Sequence, residues 1–264
     1  MKYGFIGLGN MASAIIEGMH KNESFRGDEI WGINRSYAKT ERLIERCGLI
    51  PAESVTALVE GVDVVVLSVK PQVLPEVLPE VAAALKKDQL VISIAAGKAL
   101  GWYAERLPEK TPVVRVMPNI CAKVGCAVTG VCANEYVTEA QLYTANSIFT
   151  SVGKVFHITE KLFPAISSIG GASGAFALLY IDALAAAGVK AGFPRPMALE
   201  LAAAVTKGAA TLLEQSKEHP SVLIDQICSP GGTTIEGVMT LKELGFESAV
   251  HKAVQAVIDK DLRL

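Results

Sequence analysis

The run Tyr3-Gly4-Phe5-Ile6-Gly7-Leu8-Gly9-Asn10-Met11-Ala12 decides the fold. A short apolar strand pattern ends at Gly7, and a helical pattern follows to about Lys21. The spacing is Gly-x-Gly-x-x-Ala at a strand–turn–helix junction, the fingerprint of a dinucleotide-binding βαβ unit. Gly7 makes the tight turn, Gly9 lets a pyrophosphate approach the backbone, and Ala12 keeps the helix close to its strand.

Working outward, the second strand (residues 29–33) ends at Asn34-Arg35-Ser36. NAD sites usually place an Asp or Glu there for the ribose 2′-hydroxyl. A cation and a hydroxyl suit a 2′-phosphate instead. NADP(H) is therefore the expected cofactor, with NAD(H) possible; Arg35 as a solvated residue at a helix start is the alternative. The run Asp63-Val64-Val65-Val66-Leu67-Ser68-Val69 reads as a central parallel strand covered on both faces. It ends in Lys70-Pro71-Gln72, at the carboxyl edge where open α/β sheets bind their ligands. Further strands at residues 90–94, 113–116 and 154–158 predict a Rossmann-type α/β domain with a mostly parallel sheet of about eight strands.

From Thr159 the strand–helix alternation stops. A long apolar helix is predicted over 164–187, another from Pro194-Arg195-Pro196, and a last one carrying Ala249, Val250, Ala253, Val254, Val257 and Ile258 at helical spacing. This gives a dinucleotide-binding domain at 1–159 and an all-α domain at 160–264. Helices so apolar need something to bury against, and a second copy of the same domain is the economical answer. Within them, Cys228-Ser229-Pro230-Gly231-Gly232-Thr233-Thr234 places two glycines before a helix start. Its exposed N–H groups make a seat for a small anion such as a carboxylate. An ordinary capped turn is the competing reading.

Composition narrows the field. With half of its 264 residues hydrophobic, a fifth charged and a net charge of −2, the chain is globular and gives no reason to expect a polyanionic partner. The five cysteines fit no zinc spacing and the four histidines form no ligand pair, so reduced thiols in a cytoplasmic protein are expected and no metal. No signal peptide is read at Met1-Lys2-Tyr3. Residues 165–181 carry no charge and approach the length of a membrane span. Their glycines and serines, without basic flanks or an aromatic belt, fit a helix in a protein–protein interface instead.

These segments together resemble pyrroline-5-carboxylate reductase over essentially the whole chain. The resemblance rests on the opening fingerprint, Ser68-Val69-Lys70-Pro71-Gln72, Arg115-Val116-Met117-Pro118-Asn119, Asp182-Ala183-Leu184-Ala185 and above all Ser229-Pro230-Gly231-Gly232-Thr233-Thr234. It implies NAD(P)H held by Ile6, Gly7, Gly9, Asn10 and Met11, by Asn34, Arg35 and Ser36, and by Val69, Lys70 and Pro71. It implies a cyclic imino acid whose carboxylate sits on Ser229 and the backbone of Gly231, Gly232 and Thr233, with Thr234 hydrogen-bonding the imine nitrogen as the catalytic group. It also implies a homodimer or larger homo-oligomer whose subunits share the active site. Two segments depart from the family pattern: Ile120 and Cys121 follow Asn119, and Gly170-Gly171-Ala172-Ser173-Gly174-Ala175-Phe176 replaces a Ser-Gly-Ser-Gly-Pro-Ala-Tyr run. The alternatives are a related imine or β-hydroxyacid reductase and a non-catalytic NADP(H)-binding regulatory homologue. Lys161 and Lys190 bracket the long helix instead of sitting within it, which weighs against the hydroxyacid reading.

Overall fold

A computed structural model describes residues 1–263. Its contacts divide the described residues into two compact units, 1–171 with 258–263, and 172–257. The sequence break at 159/160 lies upstream of that division because the residues after it are anchored in the first unit, as shown below.

In the first unit β1 (Lys2–Ile6) leads into α1 (Asn10–Lys21), then β2 (Glu29–Ile33), α2 (Tyr37–Cys47), β3 (Ile50–Pro51), α3 (Val55–Gly61) and β4 (Val64–Leu67). There follow α4 (Leu74–Ala84), β5 (Leu90–Ser93), α5 (Leu100–Ala104), β6 (Val113–Met117), β7 (Ala127–Ala133), α6 (Glu139–Thr150) and β8 (Gly153–His157). The strands form one sheet in the order β3-β2-β1-β4-β5-β6-β7-β8. Every pairing is parallel except β6 with β7.

The strand period of two explains the layers. Tyr3, Phe5, Val64, Val66, Leu90 and Ile92 enter one core with α1, α2 and α6. Ile6, Val65, Leu67, Val91 and Val113 enter the other with α3, α4 and α5. Hence β4 is buried throughout, as its unbroken Val-rich run requires. Local signals set the helix ends: Thr138 and Gln141 form a capping box on α6, and α2 stops at Gly48 with φ 66°. β7 is the strand that the sequence did not place. Gly130 interrupts its apolar pattern because a side chain there would press on Ile158 and Ile166 at 3.0 Å.

The chain order reverses at β1, with β2 on one side and β4 on the other. Such a switch point leaves a crevice beyond the strand ends. Gly7 closes β1 there with φ +97°, and a Cβ would lie 2.9 Å from the Val69 backbone nitrogen and 2.8 Å from Val69 Cγ1.

After β8, the expected continuous helix is interrupted. α7 (Phe163–Ile166) passes into a π-helical turn over Ser167–Ala172 before α8 (Ser173–Lys190). The second unit contains α8, α9 (Arg195–Ser216), α10 (Pro220–Ile227), α11 (Thr233–Glu243) and α12 (Phe246–Asp261), whose last turn belongs to the first unit. Its only fully buried cluster among the described residues is Ala185, Ala198 and Ala202, with Ile181 and Leu184 packed on it. Leu178, Leu179, Leu201, Val205 and Leu212 stay exposed.

Gly7→Ala adds a methyl group against backbone at a left-handed φ, so it should lower stability by about 2 kcal/mol or more. Urea unfolding of the variant tests this; a midpoint equal to that of the native chain would show that the turn tolerates a side chain.

Candidate functional site

The crevice at the switch point is a cavity of about 370 Å³. Of the residues expected at the cofactor, Ile6, Gly7, Gly9, Asn34, Arg35, Val69 and Lys70 line it. Asn10, Met11, Ser36 and Pro71 stand outside the lining, as neighbours in sequence of residues that do. Sequence reasoning missed Ile33, Lys39, Val55, Ser68, Val73 and Val77, which complete the wall. Only a placement of α2 and α4 over the strand ends could have found the last of these.

The cradle is built from backbone. An ideal Cβ at Gly9 meets nothing within 4 Å, so its absence keeps the space before the N-terminus of α1 open to a pyrophosphate. Ser68 ties the two strand ends together, its Oγ donating to Gly7 O at 2.7 Å and Ile6 O at 3.1 Å. Asn34 proves to be a scaffold. Its Oδ1 accepts from Leu8 N at 3.1 Å and its Nδ2 donates to Ser36 O at 3.1 Å, so both ends of the amide hold loops. Arg35, expected as a cation for a 2′-phosphate, is engaged by Glu76 of α4 at 2.7 Å. Both side chains are largely exposed, at 78% and 64%. Lys39, one turn further along α2, adds a second cation to the same wall.

At the end of β6 the segment from Arg115 to Asn119 anchors the chain that follows β8. Arg115 is buried, pairs with Glu160 at 3.0 Å and lies 3.9 Å over the Phe163 ring. Glu160 also accepts from Leu100 N at 2.7 Å, so its half-buried carboxylate has two partners. Asn119 is buried as well, donating to Gly170 O in the π-helical turn at 2.6 Å and accepting from Val128 N at 3.2 Å. Of the two departures from the family pattern, Gly170 thus has a packing reason, since a Cβ would meet Val128 at 3.1 Å. Ile120 is exposed. In the second unit Phe176 lines an apolar cavity of about 500 Å³.

The glycine-rich loop of the second unit is a Pro-Gly turn. Gly232 N donates to Ser229 O at 3.0 Å and Gly231 has φ +66°, as the third position of a type II turn requires. A Cβ on Gly232 would lie 2.6 Å from Ser229 Oγ, so this glycine is needed for close approach. The Gly232 N–H, expected to meet a carboxylate, donates within the turn. α11 starts at Thr233 without a side-chain cap, which leaves the first-turn N–H groups of Thr233 and Thr234 without intrahelical acceptors. Ser229, Gly231, Thr233 and Thr234 are all exposed.

Residues 160–264 match the model for pyrroline-5-carboxylate reductase dimerisation, and residues 2–97 match that for NADP oxidoreductase, coenzyme F420-dependent. The pyrroline-5-carboxylate reductase of Escherichia coli is 36% identical over 263 residues, covering 100% of this chain and 98% of that one. The chain belongs to the pyrroline-5-carboxylate reductase family. Solved structures agree: the enzyme from Coxiella burnetii superposes with a TM-score of 0.94 at 30% identity, covering 99% of this chain and 97% of that one. The Plasmodium falciparum pyrroline carboxylate reductase, solved with NADP bound, gives 0.84 at 30% identity with the same coverage. As a member, the chain is an NADP(H)-dependent oxidoreductase that assembles with copies of itself.

Glu76 engages the guanidinium that the sequence assigns to a 2′-phosphate. An exposed pair contributes at most about 1 kcal/mol, so Glu76→Gln should tighten binding of 2′,5′-ADP by about two- to fivefold. Binding of 5′-ADP should stay as it was. Calorimetric titration measures both, and equal affinities for 2′,5′-ADP in variant and parent would remove Arg35 from 2′-phosphate recognition.

Proposed function

We propose that the chain reduces 1-pyrroline-5-carboxylate, a cyclic imino acid, to L-proline. The observation that carries this is the end-to-end likeness at 36% identity to a protein of that name, together with an intact Ser-Pro-Gly-Gly-Thr-Thr loop. The β-hydroxyacid and non-catalytic alternatives are not favoured.

NADPH, when bound, supplies the hydride that reduces the C=N carbon. The residues of this chain do the rest. The walls formed by Ile6, Gly7, Gly9, Val69 and Lys70, with Arg35 and Lys39 at the 2′-phosphate end, hold the cofactor. Asn10, Met11, Ser36 and Pro71 flank those walls in sequence, and Asn34 and Ser68 fix the loops. The substrate carboxylate is held by the Ser229 hydroxyl and by the N–H groups of Gly231, Thr233 and Thr234. Gly232 serves the turn. An imine carbon accepts hydride more readily when its nitrogen is polarised by a donor, because negative charge builds there. Thr234 Oγ is the donor assigned to that task. A threonine hydroxyl is a poor acid, so its part is orientation and polarisation; alignment of donor and acceptor carbons accounts for most of the rate.

Functionally the division at 159/160 separates a cofactor domain from one that binds substrate and joins subunits. The loop of one subunit serves the cofactor half of another. A reducing, cytoplasmic setting fits the free thiols.

Thr234→Ala should lower kcat by about ten- to a hundredfold, the loss of one to two such interactions in the transition state. NADPH affinity, read by fluorescence titration, should be unchanged. Full turnover in the variant would take Thr234 out of the reaction.

A further inference from the structure

The segment between β6 and β7 holds a pair of thiols that the reaction does not use. A 3-10 turn over Ile120–Val124 ends at Gly125, whose φ is 71°. Two hydrogen bonds close it: Gly125 N donates to Ala122 O at 3.2 Å, and Cys126 N donates to Cys121 O at 3.1 Å. This is the paired pattern of a Schellman cap, with Cys121 and Cys126 at the two outer positions. The side chains at those positions are the ones that such a cap brings together across the helix end. The bond lengths set a limit on their separation. With N···O at 3.1 Å and standard backbone dimensions, the two Cα atoms cannot be more than about 7 Å apart, and any bend at the hydrogen bond brings them closer. Disulfides span Cα separations of about 4.4–6.8 Å.

Both thiols can be reached, since Cys126 is exposed and Cys121 half-buried. Two of the other cysteines are placed differently: burial pushes the thiols of Cys47 and Cys132 above the ordinary range. The turn has a fixed seat. Ala122, at its centre, is buried in the core that includes α1, and Asn119, just before it, is held by its two hydrogen bonds. A bond between Cys121 and Cys126 would therefore lock a turn already in position.

We propose that Cys121 and Cys126 form a reversible redox pair, closed to an intramolecular disulfide by low-molecular-weight disulfides. The Cys126 thiolate attacks one sulfur of glutathione disulfide, forming a mixed disulfide and releasing glutathione. The Cys121 thiolate then attacks Sγ of Cys126, forming the Cys121–Cys126 bond and releasing the second glutathione. Two protein thiols lose two protons and two electrons in total, and the oxidant becomes two thiols. Closure keeps both sulfurs at an oxidation level that a dithiol reverses, off the irreversible ladder of sulfinic and sulfonic acids.

Trypsin offers a direct test because Lys123 lies between the two cysteines. The full-length protein is incubated with glutathione disulfide, blocked with iodoacetamide and digested without reductant. The expected product is residues 116–123 joined to residues 124–154 through Cys121 and Cys126, located by fragmentation and separated by dithiothreitol. Cys121→Ser should instead retain glutathione on Cys126. A bond from Cys121 to Cys132, a stable glutathione adduct on Cys126 of the native chain, or two unmodified thiols would each overturn the assignment.

Discussion

The contact on which the first unit depends is the approach of two strand ends, β1 at Gly7 and β4 at Ser68 and Val69. It needs a residue without a side chain on one strand and a hydroxyl on the other. Ser68 Oγ has one hydrogen to give, directed between the carbonyls of Ile6 and Gly7, and so satisfies backbone at the edge of the sheet where no further ladder bond is available. The turn after β1 follows from this closure, and with it the open space before α1 and the position of Asn34 on the neighbouring loop. The cavity is a consequence of how the strands end.

The second unit has the opposite economy. Three alanines are its fully buried core, and Gly188 passes Ala198 closely enough that a Cβ would sit 3.2 Å away. Small residues bring α8 and α9 together but bury little area, so most of the leucine, valine and phenylalanine surface remains uncovered. The stretch Glu160–Lys190 has the length and hydropathy of a membrane helix with 6% of its window buried. It lies within residues 160–264, the region that matches the dimerisation model.

Much of this was legible in the residues. The fingerprint at Gly7 and Gly9 and the Val-rich β4 each have a local cause, a forced backbone shape or two-sided burial, and local causes leave local marks in sequence. The glycine-rich loop before Thr233 was legible for the same reason, whereas the hydrogen bond from Gly232 N–H back to Ser229 O was not. What escaped had causes distant in the chain. β7 was hidden by a glycine whose constraint comes from Ile158 and Ile166. The π-helical turn is bound to Asn119, some fifty residues earlier. The role of Asn34 as scaffold and the engagement of Arg35 by Glu76 became visible only with α4 beside the second strand.

The division of labour at the end of β2 has a bearing on how such an enzyme can change. The Asn34 amide bonds backbone at both ends, whereas Arg35 reaches outward to a residue on helix α4. Under the proposed role of Arg35, drift at positions 35 and 76 changes an exposed ion pair and leaves the hydrogen bonds of Asn34 in place. Substitution at 34 would remove the two hydrogen bonds that hold the loops after β1 and β2. Within two adjacent positions the chain separates what selection can adjust from what it must keep.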